Sequence, residues 1–574
     1  MDAVQRLWVW DLTKAESRST APTAGKRLLW GHHCRDTLMH SGPRQAFGVR
    51  AALGTAALVA SLAPGGVGRA ASDPPLVEAA RRSDATTVRA LLDGGAPPDA
   101  AAPDGTTALH WAVRGNDLTT ARLLIDAGAD VEAATRFGVT PLSLAATNGS
   151  APLIRRLLAA GADPNRPLPE GETPLMTAAR TGVVAALDLL LEHGAVVDAR
   201  ENWRGQTALM WAAVEGHVAV QTLIDAGADV QARSSGGFTP LLFAVREGHL
   251  DATRLLLDAG ARVHDAAPDD TAALVVAILN GHFELAALLL NRGADPNIAD
   301  RRGSALHALA WLRRPGWPLS GPPRLPTGTL DSLELARRLL ARGADPNRRV
   351  DWTERKRGGF DLGMVVNNPP GLNVGRNYIT LVGATPYYLA TKHSDVELMR
   401  LLADHGADPL IPTVQGVTPL MAAAGLGFWQ GESPGPNNGV PERDTLAAVT
   451  LAWELANAAT PGGVDIDATA HFGDTVIEGD GIELLHRLPL NVHEFDETAP
   501  GDMRWGGSTA LHGAAIRGVN SVVQFLVDRS GDLNATNDLG WTPVMIADGL
   551  YIGQTEKEQP ATAAFIRERL GEAR

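Results

Sequence analysis

The chain has 574 residues, 45% of them hydrophobic and 20% charged, with a net charge of −14. That charge excludes a broad grip on nucleic acid, which depends on Lys and Arg neutralising phosphates, and no stretch reaches the roughly 18 apolar residues of a membrane-spanning helix, so the mature chain is expected to be soluble. The single cysteine, Cys34, excludes intramolecular disulfides and leaves no set for a Cys-based zinc or iron–sulfur centre.

In chain order the first element is a secretory pattern at 44–71. It has a basic stretch, an apolar run from Ala51 to Ala63, and Gly68-Arg69-Ala70 suited to cleavage after Ala70 or Ala71. The apolar run is too short to span a bilayer. A signal belongs at the extreme N-terminus, yet some forty residues precede this one. Initiation at Met39 gives a signal peptide of ordinary length at 39–71 and makes 1–38 an extension outside the true product, removing Cys34 with it. The expected destination is the periplasm or the cell exterior. The alternative is an Ala/Gly linker, which leaves the protein in the cytoplasm. Heavy use of Ala, Leu, Gly and Arg suits a bacterial source.

Repeats follow. Residues 73–103 hold two helical patterns, around Leu76-Val77-Glu78-Ala79-Ala80 and Ala90-Leu91-Leu92, and are expected to form an N-terminal capping unit. Thr107, Thr140, Thr173, Thr207, Thr239 and Ala272 then recur at spacings of 33, 33, 34, 32 and 33. Ser304, Thr385, Thr418, Thr509 and Thr542 continue the series with longer gaps, and Gly-Ala-Asp recurs at Gly128, Gly161, Gly227, Gly293, Gly343 and Gly406. A period near 33 containing T-P-L-H-x-A resembles the ankyrin repeat family. The resemblance implies an all-α repeat solenoid, each unit a helix-turn-helix with a β-turn finger. Six regular units are expected over 104–300, units with insertions over 301–538, and a C-terminal cap over 539–574.

The local chemistry agrees with that assignment. Thr207 is placed to cap a first helix, and Pro141 after Thr140 occupies an early helical position where no amide donor is lost. Ala212 and Ala213 are small enough for close helix approach. Gly216 ends the first helix, Leu223 and Ile224 give the second its apolar stripe, and Gly227 stops it.

Four insertions interrupt the later units. Those at 313–329 and 425–443 fall between the two helices of a unit, whereas those at 348–382 and 470–504 fall in the finger. The first finger insertion carries Arg348, Arg349, Arg355, Lys356, Arg357 and Arg376, the second Glu478, Asp480, Glu483, Glu494, Asp496 and Glu497. They are expected some 20 to 30 Å apart on one edge, given helices roughly 10 Å apart. Residues 378–382 have strand character.

Catalytic signals are weak. The G-x-S-x-G match at 431–435 lies in a Pro/Gly-rich loop, where Pro434 and Pro436 prevent the helix that a nucleophile elbow requires. No P-loop, Rossmann or H-E-x-x-H motif is present, so no cofactor or metal is assigned and no enzyme is expected. His110, His307 and His512 fall at the last place of T-P-L-H, which the resemblance makes structural. His217, His249 and His282 follow inter-helix glycines. His486 and His493, beside carboxylates in the second finger insertion, are the one pair that would support the alternative of a ligand- or metal-binding site made by the insertions. The sequon at Asn148 sits at a turn of the repeat and is read as structural.

The resemblance also implies a protein or peptide partner held on the concave face and fingers; the chain itself is expected to be a monomer. On this sequence the fingers hold Arg136, Phe137, Trp203, Arg204 and Phe238, and the first helices present Trp111, Arg180, Trp211 and Arg246. Trp and Arg are favoured anchors because they combine large area with directed polarity. Partial burial of Trp111 and Trp211 between units is the structural alternative.

Overall fold

The computed structural model describes residues 73–216, 218–268, 270–300, 303–313, 326–350, 383–427, 441–471, 506–550 and 558–571. All belong to the second of two compact units, Arg69–Arg574. The signal segment, Cys34, the 431–435 motif, residues 378–382, His217, His486, His493 and most of the charged insertion residues lie outside the described residues.

Antiparallel helix pairs stack along the chain. A pair at Pro75–Arg81 and Ala85–Asp93 is followed by six regular pairs, from Ala108–Arg114 with Leu118–Asp126 to Ala273–Leu279 with Phe283–Asn291. Five more follow: Ala305–Arg313 with Ser332–Ala341, Pro386–Lys392 with Val396–Asp404, Pro419–Ala424 with Glu442–Ala459, Ala510–Arg517 with Asn520–Val527, and Pro543–Met545 with Pro560–Leu570. Among the described residues the only β features are isolated bridges, and no helix is long and apolar enough to cross a membrane.

The first helices begin where a threonine side chain accepts the amide of the third helical residue, at Thr107, Thr140, Thr173, Thr207, Thr239, Thr385 and Thr418. One orphan donor per helix is thereby satisfied. Alanines such as Ala145, Ala178, Ala179, Ala212 and Ala213 are fully buried between neighbouring first helices. Leucines of the second helices, among them Leu157, Leu190 and Leu256, close the other side of one continuous core. At the inter-helix turn Gly248 has φ 82°, and a Cβ there would lie 2.6 Å from the His282 ring of the next unit. That ring's Nε2 donates to Arg246 O at 3.0 Å, as His249 Nε2 donates to Val214 O at 2.7 Å, so histidines tie unit to unit at this end.

The finger insertions enter at one structural position. In an ordinary finger Thr135 N donates to Val139 O and Gly138 N to Thr135 O. In the first insertion Val350 N donates to Ala384 O (2.9 Å) and Gly383 N to Val350 O (2.8 Å); in the second, Ala470 and Ser508 pair at 2.9 Å and Gly507 N returns to Ala470 O at 2.9 Å. Each insertion therefore replaces only the tip and leaves the neck closed. Arg348 and Arg349, grouped above with the first insertion, belong to the frame. Arg349 Nη2 donates to Pro412 O of the next finger at 2.8 Å and its Nε to Gly383 O at 3.1 Å, as Arg233 Nη1 does to Gly237 O at 2.7 Å. The insertion between Ala305–Arg313 and Ser332–Ala341 returns onto the preceding unit, where Thr327 N donates to Gly281 O and the Glu284 carboxylate accepts Thr329 N and Leu330 N.

Candidate functional site

The fingers of the regular units stand side by side because their tips are hydrogen-bonded to one another. Arg136 N donates to Asp104 O at 2.8 Å, Asn202 N to Glu170 O at 2.8 Å, and Ser235 N to Arg204 O at 2.7 Å. Pro169 has no donor for this row and instead lays its ring against the preceding tip, where a Cβ on Gly138 would come within 2.8 Å of Pro169 Cδ. A tip in such a row is held from both sides, so its side chains project from a fixed frame.

The finger with the 34-residue spacing is organised further. The buried carboxylate of Glu201 accepts the amides of Trp203 (2.6 Å), Arg204 (2.8 Å) and Gln206 (2.9 Å), closing the extra residue into a tight loop. A carboxylate taking three backbone donors fixes a loop because each N–H would otherwise lack a partner away from water. Sequence reasoning missed Glu201, although the one-residue excess in that finger marked the place.

Arginine–aromatic stacks recur on the fingers and first helices. On the fingers the Arg136 guanidinium carbon lies 4.6 Å from the Phe137 ring centroid, and that of Arg204 4.8 Å from Trp203. Phe137 and Trp203 remain 62% and 58% exposed. On the first helices Trp111 lies between Arg81 of the preceding unit (5.8 Å) and Arg114 (5.4 Å), Arg180 covers Trp211 of the next unit at 5.2 Å, and Arg246 lies 5.5 Å from Phe243. Such contacts contribute about 0.5–1 kcal/mol each when exposed. Arg180 also reaches Glu172 at 3.6 Å, and Arg246 pairs with Glu247 at 2.6 Å.

Trp111 and Trp211 are half-buried against neighbouring units, and Trp211 Nε1 is buried without a hydrogen-bond partner among the described residues. Their rings are thus part frame and part surface. Phe238 is not at a tip, in contrast to the expectation above. It is the far side of a neck, its carbonyl accepting Ser234 N, and its half-buried ring packs on Phe243 with centroids 6.1 Å apart. The residue before the cap threonine faces the helix below, which explains the difference.

The histidines at the fourth place of T-P-L-H are internal. His110 Nδ1 accepts Thr107 N at 3.2 Å and its Nε2 donates to Val139 O at 3.0 Å; His307 and His512 make the same pair of contacts. Burial lowers all three pKa values, that of His307 to about 4. The sequon residue Asn148 donates its side-chain amide to Val113 O at 2.8 Å, a bond that fastens two turns together.

The family model for three consecutive ankyrin repeats matches residues 51–135, 76–167, 142–234 and 219–300, and that for a single ankyrin repeat matches 506–538. No curated protein matches the chain.

Proposed function

The chain is an ankyrin repeat protein, and from that premise we propose that it holds a protein or peptide partner against the fingers and first helices of residues 104–300. Ankyrin repeats are generally protein-interaction modules. The observation that carries the reading is the pair of exposed rings, Phe137 and Trp203, each stacked by an arginine on a hydrogen-bonded tip. Large rings left in water on a rigid frame gain most when a partner covers them, and little ordering entropy is lost on binding. Arg180, Trp211, Trp111 and Arg246 form the floor of the same surface.

The test is quantitative capture of a partner by the full chain and by Phe137→Ala/Trp203→Ala, with identical far-UV spectra required of both. A partner retained at equal yield by the double variant sinks the reading. We also propose export, directed by residues 44–71; N-terminal sequencing of the protein from its native cells tests it, and a product that retains residues 44–71 overturns it.

A further inference from the structure

Four consecutive finger tips each join one charge to one ring. The rings are Pro103, Phe137, Pro169 and Trp203, and all four residues are exposed. The charges are Asp104, Arg136, Glu170 and Arg204, so their sign alternates from unit to unit. Asp104 accepts Thr106 N at 3.0 Å and is held below the usual carboxylate range by that bond, so it stays ionised. The other acid at these tips, Glu201, is buried and occupied by three amides.

Stacked helices repeat at roughly 8–10 Å. A polyproline II segment has three residues per turn and rises about 3.1 Å per residue, so it presents one residue per roughly 9.3 Å on a single face. An extended β-strand, with its period of two, turns successive third residues to opposite faces. Only the former matches one partner residue to one tip over several units. Exposed aromatic rings, here Phe137 and Trp203, are also the kind of surface on which such segments pack.

Resting on the interaction reading above, we propose that these four tips bind a polyproline II segment of a partner protein whose charges alternate in sign at every third residue. Its acids face Arg136 and Arg204, its bases face Asp104 and Glu170, and its intervening apolar residues lie on Phe137 and Trp203.

The test uses fluorescein-labelled, proline-rich twelve-residue peptides and anisotropy titrations of the full chain. One peptide carries Lys, Glu, Lys and Glu at positions 1, 4, 7 and 10. A second carries Lys, Lys, Glu and Glu at those positions, and a third places the alternating charges at every second residue. The first is expected to bind at least tenfold more tightly than either, with affinity falling as salt rises. In Arg136→Glu/Glu170→Arg the tips read acid, acid, base, base, and the preference is expected to invert toward the second peptide. Both substituted residues are exposed, and an unchanged melting curve establishes the fold. Equal binding of the three peptides, binding of none, or a preference that survives the swap overturns the proposal. The interaction reading fails separately, if a captured partner is indifferent to Phe137→Ala/Trp203→Ala.

Discussion

His307 Nε2 lies 3.2 Å from the carbonyl oxygen of Ala384, 77 residues along the chain, and makes the bond that His110 makes to Val139 only 29 residues along. Two insertions, at 313–329 and 348–382, lie between them and are therefore both transparent to the stacking of units. The same contact sets a pH dependence. His307 Nδ1 accepts Ser304 N at 3.0 Å, so a second ring proton would point at a donor, and burial lowers the pKa to about 4. In the unfolded chain the ring titrates near 6.5. The folded state binds fewer protons in that window, so the contribution is complete above pH 6.5 and is lost as pH falls toward 4. At about 1.4 kcal/mol per unit it amounts to about 3 kcal/mol, with His110 and His512 shifted in the same direction. Urea midpoints should fall steeply from pH 7 to pH 4.5, and less steeply in His307→Gln. Parallel curves for the two proteins would exclude His307 as the source.

Replacing residues 351–382 by a two-residue tip should leave the array intact. The neck bonds between Val350 and Ala384 and the Arg349 contact to Pro412 all lie outside the deleted segment. Loop-closure entropy grows by about 0.6 kcal/mol for each doubling of length, so a connection of two residues in place of 32 lowers that cost by about 2 kcal/mol. The expected result is a melting temperature at or above that of the parent, with the helical content of the repeats unchanged. A fall in melting temperature would mean that the segment contributes packing to the frame.

Arg313 joins two units separated by that insertion. Its Nε and Nη2 contact the two oxygens of Asp395 at 2.7 and 2.9 Å, and both side chains are largely buried. Burial works against the charge, but the bonds to Asp395 and the charge of that carboxylate outweigh it and raise the pKa. Arg313→Met leaves Asp395 buried without its cation, a loss of about 3–5 kcal/mol. Asp395 also caps Val396–Asp404 by accepting Leu398 N at 3.2 Å, so Arg313→Met/Asp395→Asn should regain part of the loss while keeping a capping oxygen. A single variant as stable as the parent would show that the pair contributes nothing.

The repeat frame was legible because ankyrin units use one residue type for one task. Thr207 and Gly216 each have a single local job, a cap and a positive φ of 70°, and both jobs are written within ten residues. The finger row was less legible because it depends on bonds between units. Nothing near Arg136 announces that its amide meets Asp104 O, and nothing near Arg349 announces Pro412. Grouping Arg349 with an insertion followed from reading charge without the neck. Placing Phe238 at a tip failed for a related reason: a shift of one residue around the neck exchanges an outward side chain for one that packs on Phe243.

Glu201 offers the last prediction, on how a tip is held. Glu201→Gln keeps size and one acceptor oxygen but substitutes an NH2 group, itself a donor, for the other. Trp203 N lies 2.6 Å from one carboxylate oxygen and Gln206 N 2.9 Å from the other, so whichever way the amide turns, one backbone donor faces a donor. An unsatisfied buried group costs about 1–3 kcal/mol. That cost falls on the tip, because Thr207 and the helix Ala208–Glu215 keep their own cap and core contacts. Hydrogen exchange at the amides of Trp203, Arg204 and Gln206 should therefore accelerate by about 10- to 100-fold while amides within Ala208–Glu215 are unchanged. Binding that requires the Trp203 ring should weaken in proportion, since the loop must be re-ordered in the complex. Uniform acceleration across the unit would assign Glu201 to the stability of the whole repeat, and no acceleration would mean that the two tip-to-tip bonds, Asn202 to Glu170 and Ser235 to Arg204, fix the finger without it.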